Sequence, residues 1–167
     1  VCESYSTDAW LDSDFFRSYL GVEKGNGFSF VSIYRNVRDD VHPPAFFMLL
    51  NAVTTIVGGK PSELPGDIIN VMAALVMSFV LYQIGKKLFG NSLMAAIVPL
   101  LWIGSVGACD GIQYIRMYHT FSVIVVIEIY LSMLLLEGKK DTWLYVLIGL
   151  FSFVGTLTHY YFYVAFF

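Results

Sequence analysis

The sequence predicts an all-α membrane protein: a polytopic transmembrane helix bundle with an outer loop that carries juxtamembrane helices. Three observations predict it. Of the 167 residues, 57% are hydrophobic and only 14% charged, and the mean hydropathy is +0.67, beyond what a water-soluble domain carries. The apolar residues form long runs divided by short polar punctuation, rather than recurring at the periodicity of a soluble core. Lysine pairs, Lys86–Lys87 and Lys139–Lys140, follow alternate runs, as expected of cytoplasmic turns.

Residues 1–42 are polar, aromatic and mixed in charge, and read as the first extracytoplasmic loop. Within it, Asp8 to Tyr19 sets Trp10, Leu11, Phe15, Phe16 and Tyr19 among acidic residues, a pattern that suits an interfacial helix; a small soluble subdomain would look similar. Residues 43–58 are apolar but short of the roughly 20 residues a span needs, so they read as an interfacial or re-entrant helix. The rival reading is a true span that inverts everything after it. Four later runs, 66–85, 92–109, 116–136 and 143–165, read as transmembrane helices. Pro99 lies at the centre of the second and predicts a kink there. The lysine pairs then put 59–65, 110–115 and the end near His159 on the extracytoplasmic side. The whole of 1–167 reads as one membrane-embedded domain. Val1 in place of a start methionine, and a last run ending in apolar residues, read as the ends of an N-terminal fragment.

Several function classes are excluded. The net charge of -3 arises within the first 43 residues and no basic stripe exists, so no nucleic-acid partner is expected. Cys2 and Cys109 are too far apart for a metal knuckle and define no disulfide framework. Gly-rich phosphate loops, Ser nucleophile elbows and His-Glu-x-x-His are all missing.

The strongest local signal is Asp39-Asp40-Val41-His42-Pro43-Pro44. Tandem prolines fix two φ angles, push His42 toward an extended conformation and start a helix where no amide donor is needed. The two carboxylates are thereby held at the membrane surface, or else merely favour the positive end of the helix dipole. Glu3 supplies a second acid at the start of the same loop; taken alone it reads as a solvated charge. Two such carboxylates can divide the work, one accepting a proton from an attacking hydroxyl while the other binds the acceptor or a metal.

Arg116, in Gln113-Tyr114-Ile115-Arg116-Met117-Tyr118-His119, stands at the outer end of the third span, where a cation needs an anionic partner such as a lipid phosphate. Its planar fork holds phosphate oxygens bidentately. Taken alone it also reads as a snorkelling arginine. In Thr158-His159-Tyr160-Tyr161-Phe162-Tyr163, His159 is a candidate to orient a phosphate or an acceptor, while Tyr161 and Tyr163 read as an interfacial aromatic belt. Glu128 falls mid-span and reads as an interhelix contact.

Together these residues resemble a family: the polyprenyl-phosphate-sugar-dependent glycosyltransferases of the GT-C fold, especially the bacterial protein-mannosyltransferase-like branch (glycosyltransferase family 39-like). The landmarks are Glu3-Ser4-Tyr5-Ser6, Asp40-Val41-His42-Pro43-Pro44-Ala45-Phe46-Phe47, Gly85-Lys86-Lys87-Leu88-Phe89-Gly90, Arg116-Met117-Tyr118 and Thr158-His159-Tyr160, in the family's order. The resemblance implies an inverting transfer of a sugar from a polyprenyl-phosphate-linked donor to a glycan, lipid or protein acceptor, on the outer face of the cytoplasmic membrane. It implies Glu3 and Asp40 as catalytic acids, with the base open between them. Arg116, His159 and Tyr160 become contacts of the donor phosphate, supported by Asp39, His42 and Tyr118. The chain departs from the family at Cys2, where many members have Asp, and at Tyr114, where many have an acid, so a non-catalytic relative stays open. No metal motif is present and no cofactor is firmly expected; a divalent cation held weakly by surface carboxylates also stays open. The competing class is a membrane transport or lipid-phosphate-binding protein without transferase activity, with Glu128 along a solute path.

Overall fold

The computed structural model describes residues 10, 12–15, 21–22, 25–38 and 42–166. Among them the regular structure is helical, with no strand. The helices are α1 (Phe30–Val37), α2 (Ala45–Ile56), α3 (Leu64–Phe89), α4 (Ser92–Ile103), α5 (Val106–Gln113), α6 (Met117–Leu136), α7 (Thr142–Thr158) and α8 (Tyr161–Phe166). The stretch 43–58, expected as an interfacial or re-entrant helix, holds the 12-residue helix α2. The helix expected over Asp8–Tyr19 falls mostly outside the described residues.

α3 begins with Pro65 in its first turn and Asp67 beside it, and closes with Lys86 and Lys87, the charge order that a helix dipole favours. Gly90 stops it in the left-handed region (φ 65) and donates its N–H to Lys86 O. Asn91 then starts α4 by accepting at Oδ1 from the amides of Leu93 (2.8 Å) and Met94 (3.3 Å). These two residues make the tight α3–α4 hairpin. Near it the two backbones almost touch: a Cβ added at Gly85 would lie 3.0 Å from both Cα and O of fully buried Ala95. Pro99 has no N–H to give the Ala95 carbonyl four residues back. Gly85 therefore rests against an oxygen that the helix itself leaves free.

The expected kink site, Pro99, lies inside one continuous helix, and a separate bend follows it. α4 runs through the proline, and the chain bends by 61° between α4 and α5, at Gly104–Ser105. Ser105 is extended (φ -82, ψ 149) and its Oγ accepts from Ala108 N at 3.2 Å, so a new N-cap ends the old helix. The run expected over 143–165 also breaks, at His159 (φ -156, ψ 135). The turn back lets Phe162, wholly buried, fill the space above Gly155 that any Cβ would occupy.

α3 and α6 are long and apolar enough to cross a membrane; α4 and α5 add a third such crossing if the bent pair is one span, and α2 and α7 are shorter apolar helices. Large side chains on these helices face outward, with Phe79 62% and Leu101 72% exposed. α3 is the hub, packing on α2, α4, α5 and α6, while α7 packs on α6 and α2. At one end of the bundle Lys87 ion-pairs with Glu137 (2.5 Å) and joins the last turns of α3 and α6. At the other end lie the starts of α2, α3 and α6, tied by a cluster of Phe46, Ile69 and Met117.

Candidate functional site

The loop that carries Arg116 is fixed from beneath by α3. Asn70, fully buried, donates through Nδ2 to the carbonyls of Ile112 (2.8 Å) and Tyr114 (3.0 Å). The Tyr114 oxygen also accepts from Arg116 N at 2.8 Å, so two donors hold one carbonyl. One turn earlier on α3, Gly66 leaves room for the Ile115 side chain, which a Cβ there would strike. Arg116 is extended (φ -145, ψ 161) and precedes α6, and the next residue, Met117, is buried in the apolar cluster. With its neighbour anchored inward, the Arg116 side chain is exposed, and among the described residues its guanidinium has no hydrogen-bond or ion-pair partner.

That guanidinium borders a cavity of about 220 Å³ lined by Asp110, Gly111, Tyr114, Arg116, Tyr118 and His119. His119 forms its inner wall. It is 5% exposed, lies parallel to Trp102 with ring centroids 6.0 Å apart, and sits against Gly111. The ring also approaches the Asn70 backbone, yet its buried Nε2 makes no hydrogen bond of good geometry. The cavity thus offers a cation, a carboxylate, aromatic faces and one unsatisfied imidazole nitrogen.

Tyr118 links this cavity to a second group. Its ring lies 5.4 Å from that of His159, which is also flanked by Phe121 (5.3 Å) and Tyr161 (4.7 Å). His159 Nδ1 accepts from Tyr161 N at 3.1 Å, which leaves Nε2 as the hydrogen-bearing nitrogen of the neutral ring. Burial lowers the His159 pKa, and the nearby charge of His42 lowers it further. His42 stacks edge-on to Phe47 at the start of α2 (6.5 Å).

Of the residues singled out in the sequence, Arg116, Tyr118, His159 and His42 share this end of the bundle. Tyr160 is exposed and joins the chain there through its backbone, accepting from Tyr163 N at 3.1 Å. Glu3, Asp39 and Asp40 lie outside the described residues. Among the described residues no three His, Cys, Asp or Glu side chains come together to hold a metal. Glu128, 1% exposed, accepts from Ser152 Oγ at 2.9 Å and closes an α6–α7 contact. Sequence reasoning missed Asp110, His119 and Asn70. An Asn inside a long apolar run, and an acid six residues before the arginine, were the available signals.

No family model matches the chain, and no curated protein or solved structure matches it.

Proposed function

We propose that this chain belongs to a polytopic glycosyltransferase of the cytoplasmic membrane that takes a sugar from a polyprenyl-phosphate carrier on the extracytoplasmic side. One observation carries the reading: an unpaired arginine at the rim of an aromatic-walled cavity, at the end of the bundle opposite the lysine pairs. The lysine pairs favour the cytoplasm, so the cavity faces outward at the lipid headgroups. A carrier phosphate there meets a guanidinium that has no competing partner among the described residues. Tyr114, Tyr118 and His119 supply flat faces for a sugar ring.

In the transfer itself, the acceptor oxygen attacks the anomeric carbon from the side opposite the phosphate. The carbon–oxygen bond to the acceptor forms as the bond to phosphate breaks, which inverts the centre. The acceptor proton passes to a carboxylate, with Glu3 and Asp40 as the candidates, and the polyprenyl phosphate leaves with its charge against Arg116.

The transport alternative needs an open polar path past Glu128, and the closed hydrogen bond to Ser152 speaks against one. The test is transfer from a radiolabelled polyprenyl-phosphate sugar by the whole protein in proteoliposomes. Arg116→Ala should lower turnover on the order of 100-fold with membrane insertion intact. Unchanged turnover in Arg116→Ala, Glu3→Gln and Asp40→Asn would end the reading.

A further inference from the structure

We infer that the Arg116 cavity takes a zwitterionic ligand, a phosphate ester that carries a primary amine, with the phosphate at Arg116 and the ammonium at Asp110. Both residues line the cavity and both are exposed, yet no ion pair joins them. Among the described residues the Asp110 carboxylate has no hydrogen-bond partner, while its backbone carbonyl accepts from Tyr114 N at 2.9 Å. The fold keeps the two charges apart. Asp110 lies near the end of α5, Tyr114 ends that helix in an extended conformation (φ -82, ψ 116), and Arg116 is extended as well (φ -145, ψ 161). That open course is pinned by Asn70 Nδ2 on the Ile112 and Tyr114 carbonyls, and by Ile115 seated over Gly66. Opposite charges attract more strongly near a protein surface than in bulk water, so holding them unpaired keeps both attractions for a ligand.

The lining discriminates among ligands. A simple anion suits Arg116 but is repelled by Asp110, and a simple cation meets the reverse difficulty; a ligand with one charge of each sign complements both. The guanidinium fork holds phosphate oxygens in pairs, so the anionic half is a phosphate. Tyr114 and Tyr118, 66% and 49% exposed, add aromatic faces that attract an ammonium group through the ring quadrupole. The inner wall is firmly packed: His119 stacks on Trp102 at 6.0 Å, and a Cβ added at Gly111 would lie 3.3 Å from His119 Nδ1. A divalent cation is a poor occupant, because among the described residues no three His, Cys, Asp or Glu side chains converge and the arginine borders the same space. Amine-bearing phosphate esters reach the outer face of a membrane from two sources, an amino sugar on a carrier phosphate and the headgroup of an ethanolamine phospholipid. Both present the same pair of charges.

The inference rests on the outward-facing cavity of the proposed function but not on the transfer step. Its test is calorimetric titration of the whole protein in detergent micelles with two matched pairs of esters. One pair is a short-chain polyprenyl phosphate bearing glucosamine or glucose; the other is dihexanoyl phosphatidylethanolamine or phosphatidylglycerol. In at least one pair the amine ester should bind about fivefold or more tightly than its hydroxyl counterpart. Asp110→Asn, at an exposed side chain with no bond to lose, should bring that ratio close to one, while Arg116→Ala should weaken both members of the pair. A preference in the sugar pair alone assigns an amino-sugar donor, and one in the lipid pair alone assigns the headgroup; in either case, or in both, the zwitterionic site stands. Equal affinities within both pairs, or a preference that survives Asp110→Asn, overturn the inference and leave the proposed transfer standing. Binding of every ester that is indifferent to Arg116→Ala overturns the site itself, and the proposed donor contact with it.

Discussion

The rings of Tyr118 and His159 lie 5.4 Å apart at an angle of 41° and join the first turn of α6 to the residue that ends α7. Tyr118 also lines the Arg116 cavity, so one ring is shared between that cavity and the His159 cluster.

A pH dependence follows from the surroundings of His159. His159 is held below the ordinary imidazole value of 6.5 by burial first and by the His42 charge second. The unfolded chain therefore binds this proton more readily than the folded one. The stabilisation is complete above about pH 6.5 and is lost as the pH falls from there through the folded value. Thermal unfolding in detergent micelles should give a lower Tm at pH 5 than at pH 7.5, and His159→Gln should narrow the gap. An equal gap in the variant would show that other groups set it.

Two glycines should respond to the same substitution with opposite signs. In an open helix interior, Gly→Ala gains about 1 kcal/mol of propensity, and Gly149 in α7 has nothing within 4 Å of an added Cβ. Gly85→Ala meets the Ala95 backbone at 3.0 Å and should instead cost about 1–3 kcal/mol by forcing α3 and α4 apart. Denaturant titration of both variants checks this. Stabilisation by Gly85→Ala would mean that the hairpin has slack.

What the sequence made legible follows from where its signals are local. Lys86, Lys87 and the Gly90-Asn91 pair mark a helix end and a helix start by their own chemistry, and the expected third run at 116–136 coincides with α6. The misreadings share a cause. Proline is the louder signal in this run, yet the bend between α4 and α5 is spelled by the quieter Gly104-Ser105 cap that follows it. Nothing before His159 marks the end of α7; that break depends on Phe162 reaching Gly155, a tertiary fit invisible in a hydropathy run. The apolar stripe Phe30, Ile33, Tyr34 and Val37 of α1 was readable and was passed over within a polar loop. Asp110, on the helix that follows the 61° bend, lines a cavity with Arg116, a placement that no local sequence signal carries.

Glu128 and Ser152 should be coupled more strongly than either is individually needed. With the carboxyl 1% exposed, removing only the hydroxyl leaves a buried acid without its donor, which costs more than replacing both groups by apolar ones. A double-mutant cycle of Glu128→Leu and Ser152→Ala should return a coupling of about 0.6–2 kcal/mol, with the double variant no less stable than Ser152→Ala alone. Simple additivity would show that the hydrogen bond does not fasten α6 to α7.

Arg116 and Asp110 border one cavity with opposite charges, so their removal should shift anion binding in opposite directions. Arg116→Ala takes away the charge-assisted donor that lines the cavity and should weaken binding of a short-chain polyprenyl-phosphate analogue tenfold or more. Asp110→Asn removes a like charge facing the same ligand. A pair of unit charges about 4 Å apart is worth roughly 1 kcal/mol in water and more near a protein surface, so affinity should rise a few-fold. Added salt should shrink both effects, because the cavity rim is open to solvent. Calorimetric titration of both variants at low and high salt measures this. If Asp110→Asn binds more weakly than the unaltered protein, the carboxylate is holding the Arg116 loop or the ligand itself, and the electrostatic assignment of the two residues is wrong.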